Sequence, residues 1–181
     1  MKDFVLITGN QNKADYLAMW LGMPVKHEKL DLDEIQSLDL RTIAEDKARR
    51  AFDAVNKPVL VEDVALSFTA LGKLPGPLLK WFLEDIGTEG LCSLADGLEN
   101  RTARAYMMYV LYDGNTMHTF EGTTNGYVAD TPRGSRGFGF DPTFIPEGCA
   151  KTYAEMTDDE VKPYSIRYKA IEKLREFLQN S

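Results

Sequence analysis

Residues 102–130, TARAYMMYVLYDGNTMHTFEGTTNGYVAD, constrain the fold more than any other stretch of this 181-residue chain. Two runs rich in β-branched and aromatic residues flank Asp113-Gly114, a dipeptide that favours a tight hairpin turn. Such a hairpin delivers two neighbouring strands of a sheet in one piece. Short apolar runs elsewhere supply the rest. FVLIT at 4–8, PVKHEKLDL at 24–32 and PVLVEDVALSF at 58–68 read as strands. Between them lie helical patterns. Ala14, Leu17, Ala18 and Leu21 share one face, and Gly22 stops that helix. Leu40, Ile43, Ala44, Ala48 and Ala51 make the stripe of a longer helix over 40–55. LGKLPGP at 71–77 is turn chemistry, followed by helical segments around 78–83 and 89–94. A last helix follows Ser165, its N-cap, with Ala170, Ile171, Leu174, Phe177 and Leu178 on one side. The pattern predicts a mixed-sheet α/β protein. The length suits a single domain, residues 1–181, of two lobes.

Charge and cysteine usage exclude several roles. The net charge of −7 disfavours nucleic acids and anionic membranes, because the electrostatic term opposes them. A small anionic ligand needs only a local basic pocket. With Cys92 and Cys149 alone, no disulfide framework is implied, which points to a reducing, cytoplasmic setting. The first ten residues lack a signal-peptide pattern, and no segment approaches the length of a membrane span.

Five segments carry candidate chemistry. TGNQNK at 8–13 is a strand–turn–helix junction containing Thr8, Gly9, Asn10 and Lys13. Helix-start amides attract phosphate, and Lys13 sits where the dipole disfavours a cation unless an anion is bound. It is either such an anion site or an ordinary junction, since no P-loop or dinucleotide spacing is present. Glu62 and Asp63 interrupt an apolar strand. Either the strand emerges into solvent there, or the acids hold a partner such as Mg²⁺, which takes oxygen ligands. Glu34, in the acidic loop 31–39, is a candidate to complete that site. Lys47 lies inside an apolar stripe, so it either snorkels to the edge or reaches a buried anion. Lys80 in LLKWF poses the same choice. Finally, Phe138, Gly139, Phe140 and Asp141 form either a turn with core aromatics or a slot that stacks a base and reads its edge. The two histidines, His27 and His118, fit no zinc spacing, and no G-x-S-x-G occurs. A phosphate-binding turn, spare lysines, oxygen ligands and an aromatic slot together describe a nucleoside triphosphate site.

In order along the chain, TGNQNK, VLVEDVAL, LGKLPGPLLKWFLEDIG, GFGFDPTFIPEG, KTYAEM and YSIRYKA resemble the inosine triphosphate pyrophosphatases. The resemblance spans nearly the whole chain, and the middle segment is most similar to the eukaryotic-type branch. It implies an elongated mixed α/β fold with a nucleotide cleft between two lobes, and a homodimer. It implies Mg²⁺-dependent hydrolysis of deaminated purine nucleoside triphosphates (ITP, dITP, XTP) to monophosphate and pyrophosphate. By the same resemblance Thr8, Gly9, Asn10 and Lys13 match the phosphate turn, and Lys47 and Lys80 match triphosphate-contacting lysines. Asp63 matches the metal-binding catalytic acid, Glu62 its acidic neighbour, and Glu34 a metal-ligand position. Phe138, Gly139, Phe140, Asp141, Ser165 and Arg167 match base-binding positions. Two departures stand out. Ile166 replaces the family's histidine, and Val64 and Ala65 follow the catalytic acid where Ser/Thr-Gly is common. Losing a polar reader is worth about 1–3 kcal/mol when a buried partner is left unpaired. The alternative outcomes are shifted base selectivity on the same chemistry, or a nucleotide-binding module without turnover.

Overall fold

In the computed structural model, which describes residues 3–180, the strand that opens the chain is short. β1, Val5–Ile7, leads through a turn into helix α1, Gln11–Leu21. Asn10 caps α1 by accepting from the Asn12 amide, and Gly22 ends it in the left-handed conformation that glycine adopts without steric cost. β2 follows at Lys26–Glu28, far shorter than the strand predicted over 24–32. Its three residues are all polar and exposed, and it lies at the sheet edge, where charge discourages further pairing. Helix α2, Leu40–Val55, buries the predicted stripe of Leu40, Ile43, Ala44, Ala48 and Ala51.

β1 pairs parallel with β2 on one side and with β3, Val59–Phe68, on the other. Right-handed crossovers from β1 to β2 and from β2 to β3 travel in opposite directions across the sheet. They therefore place α1 and α2 on opposite faces. β1 is thus a topological switch point, the place where ligands gather beyond the carboxyl ends of parallel strands. The register matches Ile7 with Val61, so the next residues of β3, Glu62 and Asp63, lie just past the end of β1.

β5, Thr102–Tyr112, and β6, Met117–Val128, form the hairpin, and the Asp113 carboxylate accepts from the Asn115 and Thr116 amides in its turn. β4, Pro75–Gly76, pairs antiparallel with β3, and β7, Phe144–Pro146, pairs antiparallel with β6. The seven-stranded mixed sheet has the order β2-β1-β3-β5-β6-β7, with β4 off this path. Helix α3, Leu79–Leu94, is two segments joined at Gly87, whose φ of 66° and ψ of −170° no helix contains. A one-turn helix α4, Asp158–Val161, and helix α5, Ile166–Gln179, close the chain. No described helix is long and apolar enough to cross a membrane.

The chain forms two compact units. The first comprises residues up to Asp63, Met107–Gly122 and the chain from Arg167 on; the second comprises Val64–Tyr106 and Thr123–Ile166. In the first, Leu6, Leu17, Leu60, Tyr109, Ala170 and Leu174 are buried. In the second, Leu66, Phe68, Leu91, Phe140 and Phe144 are.

Candidate active site

β3 does not emerge into solvent at its two acids. It continues to Phe68, and the Glu62 side chain is only 2% exposed. Adjacent residues of a strand project to opposite faces, and here each acid meets a lysine from a different helix. Lys13, on α1, brings its Nζ to 3.1 Å from Glu62 Oε1. Lys47, on α2, donates to Asp63 Oδ1 at 3.0 Å and stands 2.8 Å from Glu34 Oε1. The Lys47 side chain is 16% exposed, so it turns inwards to Asp63, which is 14% exposed, and meets the more exposed Glu34 there rather than snorkelling out to solvent.

Each charge carries the mark of its surroundings. Burial alone would raise the Glu62 carboxyl, but Lys13, Arg167 and the Tyr109 hydroxyl outweigh it and hold the group below its usual range. Asp63 is pushed up: burial raises it, and Lys47 does not fully offset that cost. Burial works to lower the Lys47 ammonium, yet Asp63 and Glu34 outweigh it and the net shift is upward.

The turn at 8–13 is self-supporting. Thr8 Oγ1 accepts from the Asn10 amide at 3.1 Å, and Asn10 Oδ1 accepts from the Asn12 amide at 3.0 Å. The Lys13 amide donates to the Asn10 carbonyl at 3.2 Å. The Lys13 ammonium adds a cation beside this turn. At Gly9 a Cβ would stand 3.0 Å from the Lys29 side chain, which would have to shift.

A metal is compatible with the donors present. Asp63 Oδ2 is buried and has no hydrogen-bond partner, an arrangement that costs free energy unless a cation or proton completes it. Carboxylate oxygens from Asp63 and Glu34 suit a hard divalent ion. Among the described residues no group of three His, Cys, Asp or Glu side chains forms a closed metal cage.

The second unit holds the remaining predicted residues except Arg167, and several differ from expectation. Phe140 is 1% exposed and packs edge-on against Phe144 at 6.0 Å between ring centres, so its ring is core and not a stacking surface. Asp141 is buried, and its Oδ2 accepts from the Phe138 amide at 2.8 Å, tying the turn. Phe138 is half-buried and Gly139 exposed. Ser165 and Ile166 are buried, and Val64 is half-buried. Lys80 is exposed, with its Nζ 5.0 Å from the centre of the Trp81 ring, so here snorkelling does occur. In the first unit Arg167 is 6% exposed and lowers Glu62 by its charge.

Tyr109 escaped the sequence reading. Its hydroxyl donates to Glu62 Oε2 at 2.8 Å. A phenol in the apolar run YMMYVLY was the available signal, because a buried hydroxyl needs a partner.

The sequence model of the Ham1 family matches residues 4–177. The chain belongs to the Ham1 family. It is 44% identical over 174 residues to inosine triphosphate pyrophosphatase 2 of Trypanosoma cruzi, covering 94% of this chain and 89% of that one. It is 43% identical over 182 residues to the inosine triphosphate pyrophosphatase of Emericella nidulans, covering 98% and 97%. Among solved structures, a HAM1 protein from Coxiella burnetii superposes with a TM-score of 0.86 at 24% identity over the whole of both chains. That likeness establishes the Ham1 fold for this chain.

Proposed function

We propose that this Ham1-family chain hydrolyses deaminated purine nucleoside triphosphates, such as ITP, dITP and XTP, to the monophosphate and pyrophosphate. The observation that carries the reading is the pair of lysine–carboxylate contacts at Glu62 and Asp63, at the switch point beside the 8–13 turn. Phosphoryl transfer asks chiefly for positioning and charge compensation, and these side chains supply both. The identities above 40% to proteins named inosine triphosphate pyrophosphatase support the choice of nucleotide.

Lys13 and Lys47 offset charge on the triphosphate and on the departing pyrophosphate. Thr8 and Asn10 shape the turn that presents Lys13. Asp63 and Glu34 would hold Mg²⁺, which would supply charge neutralisation for the phosphates and a lowered pKa for bound water. Glu62 anchors Lys13. Lys80, exposed beside Glu84 and Trp81, supplies a further cation for the triphosphate. For the base, Phe138 takes the stacking role on the turn that Asp141 ties, beside Gly139, and Ser165 supplies a further polar contact. A homodimer in a reducing, cytoplasmic compartment completes the reading, in keeping with two free cysteines.

Selectivity among purines is the second part of the proposal. Ile166 is fully buried and offers no polar edge, and Arg167 is engaged electrostatically with Glu62. Discrimination of ITP and XTP from GTP and ATP is therefore weaker than a histidine reader would give. The test is a nucleotide panel with Mg²⁺ that separates pyrophosphate from orthophosphate. Pyrophosphate release from ITP and XTP is expected, with kcat/KM for GTP within about tenfold to a hundredfold of them. Release of orthophosphate alone would replace the reading with a phosphatase. Asp63→Asn is expected to lower kcat by at least about a hundredfold with an unchanged far-ultraviolet spectrum. Near-normal turnover in that variant would remove Asp63 from the mechanism.

A further inference from the structure

Glu62 is a buried carboxylate with each oxygen assigned to a different neighbour. Oε2 accepts from the Tyr109 hydroxyl at 2.8 Å, and Oε1 stands 3.1 Å from the Lys13 ammonium. Tyr109 is 1% exposed, on β5, which lies beside β3 in the sheet. The phenol therefore holds Oε2 and restricts rotation of the carboxylate about its last bond, which leaves Oε1 towards Lys13 as an ion-pair contact. An ammonium carries three protons, so a single-oxygen contact leaves the others for phosphate. A carboxylate free to turn would present both oxygens to Lys13 and draw it back from the substrate.

We propose that Tyr109 is a positioning residue, whose hydroxyl holds Glu62 so that Glu62 aims Lys13 at the substrate's phosphates. The inference rests on the proposed triphosphate chemistry and deepens it. Tyr109 touches no substrate and acts through two other side chains. Its contribution must therefore vanish when Lys13 is removed, which a packing role would not do.

The experiment is a double-mutant cycle of Tyr109→Phe and Lys13→Met in the full chain. It is read by calorimetric binding of inorganic pyrophosphate and by ITP kinetics. Tyr109→Phe keeps the ring and deletes only the hydroxyl. It is expected to weaken pyrophosphate binding roughly tenfold and raise KM for ITP by a similar factor, with kcat little changed. In the Lys13→Met background the same change is expected to have almost no effect. Met108→Leu, on the same strand but facing the opposite side, is the packing control. It should lower the melting temperature without moving pyrophosphate affinity. Wild-type affinity in folded Tyr109→Phe would overturn the proposal. So would an equal loss in the Lys13→Met background, or an equal loss in Met108→Leu. If the wild type binds pyrophosphate yet hydrolyses no nucleotide, the functional reading fails and the cycle still decides on Tyr109. If it does not bind pyrophosphate, the proposal for Tyr109 falls whatever the turnover.

Discussion

Glu62 and Lys47 meet the same difficulty, a charge held largely out of water, and both solve it with opposite charge close by. For Glu62 the compensation exceeds the cost of burial, so its folded value lies below the ordinary 4.5. A depressed acid contributes stability that is fully present above its unfolded value and is lost as pH falls through its folded value. Glu62→Gln is therefore expected to cost about 1–3 kcal/mol at pH 7. The gap to wild type should close as pH drops below 4.5, because protonation removes the same charge from the wild type. Thermal melts of both proteins from pH 7 down to acid would check this. A gap that stays constant across that range would mean that packing, not charge, holds Glu62 in place.

At the scale of elements, the turn before β7 shows how local geometry serves the proposed base contact. Gly137 has a φ of 70°, and a Cβ there would stand 2.2 Å from Asp141 Oδ2. That oxygen is the one that holds the Phe138 amide. Gly137→Ala is thus expected to strain the backbone and push away the carboxylate that ties the turn, costing about 1–3 kcal/mol. KM for ITP should rise with it, because Phe138 loses its anchor. Chemical denaturation together with steady-state kinetics would test both effects, and an unchanged KM would remove Phe138 from base binding. The neighbouring aromatic, Phe140, packs into the second unit's core and is not expected to respond to base identity.

At the scale of the molecule, neither compact unit is a continuous piece of chain. The first unit draws on three segments, and several of its buried residues, Met107, Tyr109, Ala170 and Leu174, lie outside residues 1–63. A fragment ending at Asp63 lacks that part of its core. It is expected to show no cooperative thermal transition by circular dichroism, whereas the full chain does. A sharp transition in the fragment would show that α1, α2 and the parallel strands suffice alone. Net charge belongs to this scale too. The chain carries −7, yet it sets Lys13 and Lys47 at the switch point, so on the proposed reading local placement of cations, rather than overall sign, is what an anionic substrate would meet.

Much of this was legible in the chain itself. Helix α2 occupies the predicted 40–55, Gly22 ends α1, and Asp113 makes the hairpin turn, because periodicity and turn chemistry act over a few residues. Six motifs in order were enough to identify the family resemblance, because together they span the chain. The tertiary structure decided what each ambiguous residue does. Lys47 and Lys80 look alike in sequence, yet one turns inwards to Asp63 and Glu34 and the other stays exposed beside Glu84. Glu62 and Asp63 read equally well as a strand end until β3 continued past them. Tyr109 reaches Glu62 across 47 positions of sequence. A charge or hydroxyl takes its role from the partner that satisfies it, and no local pattern says which distant segment will bring that partner.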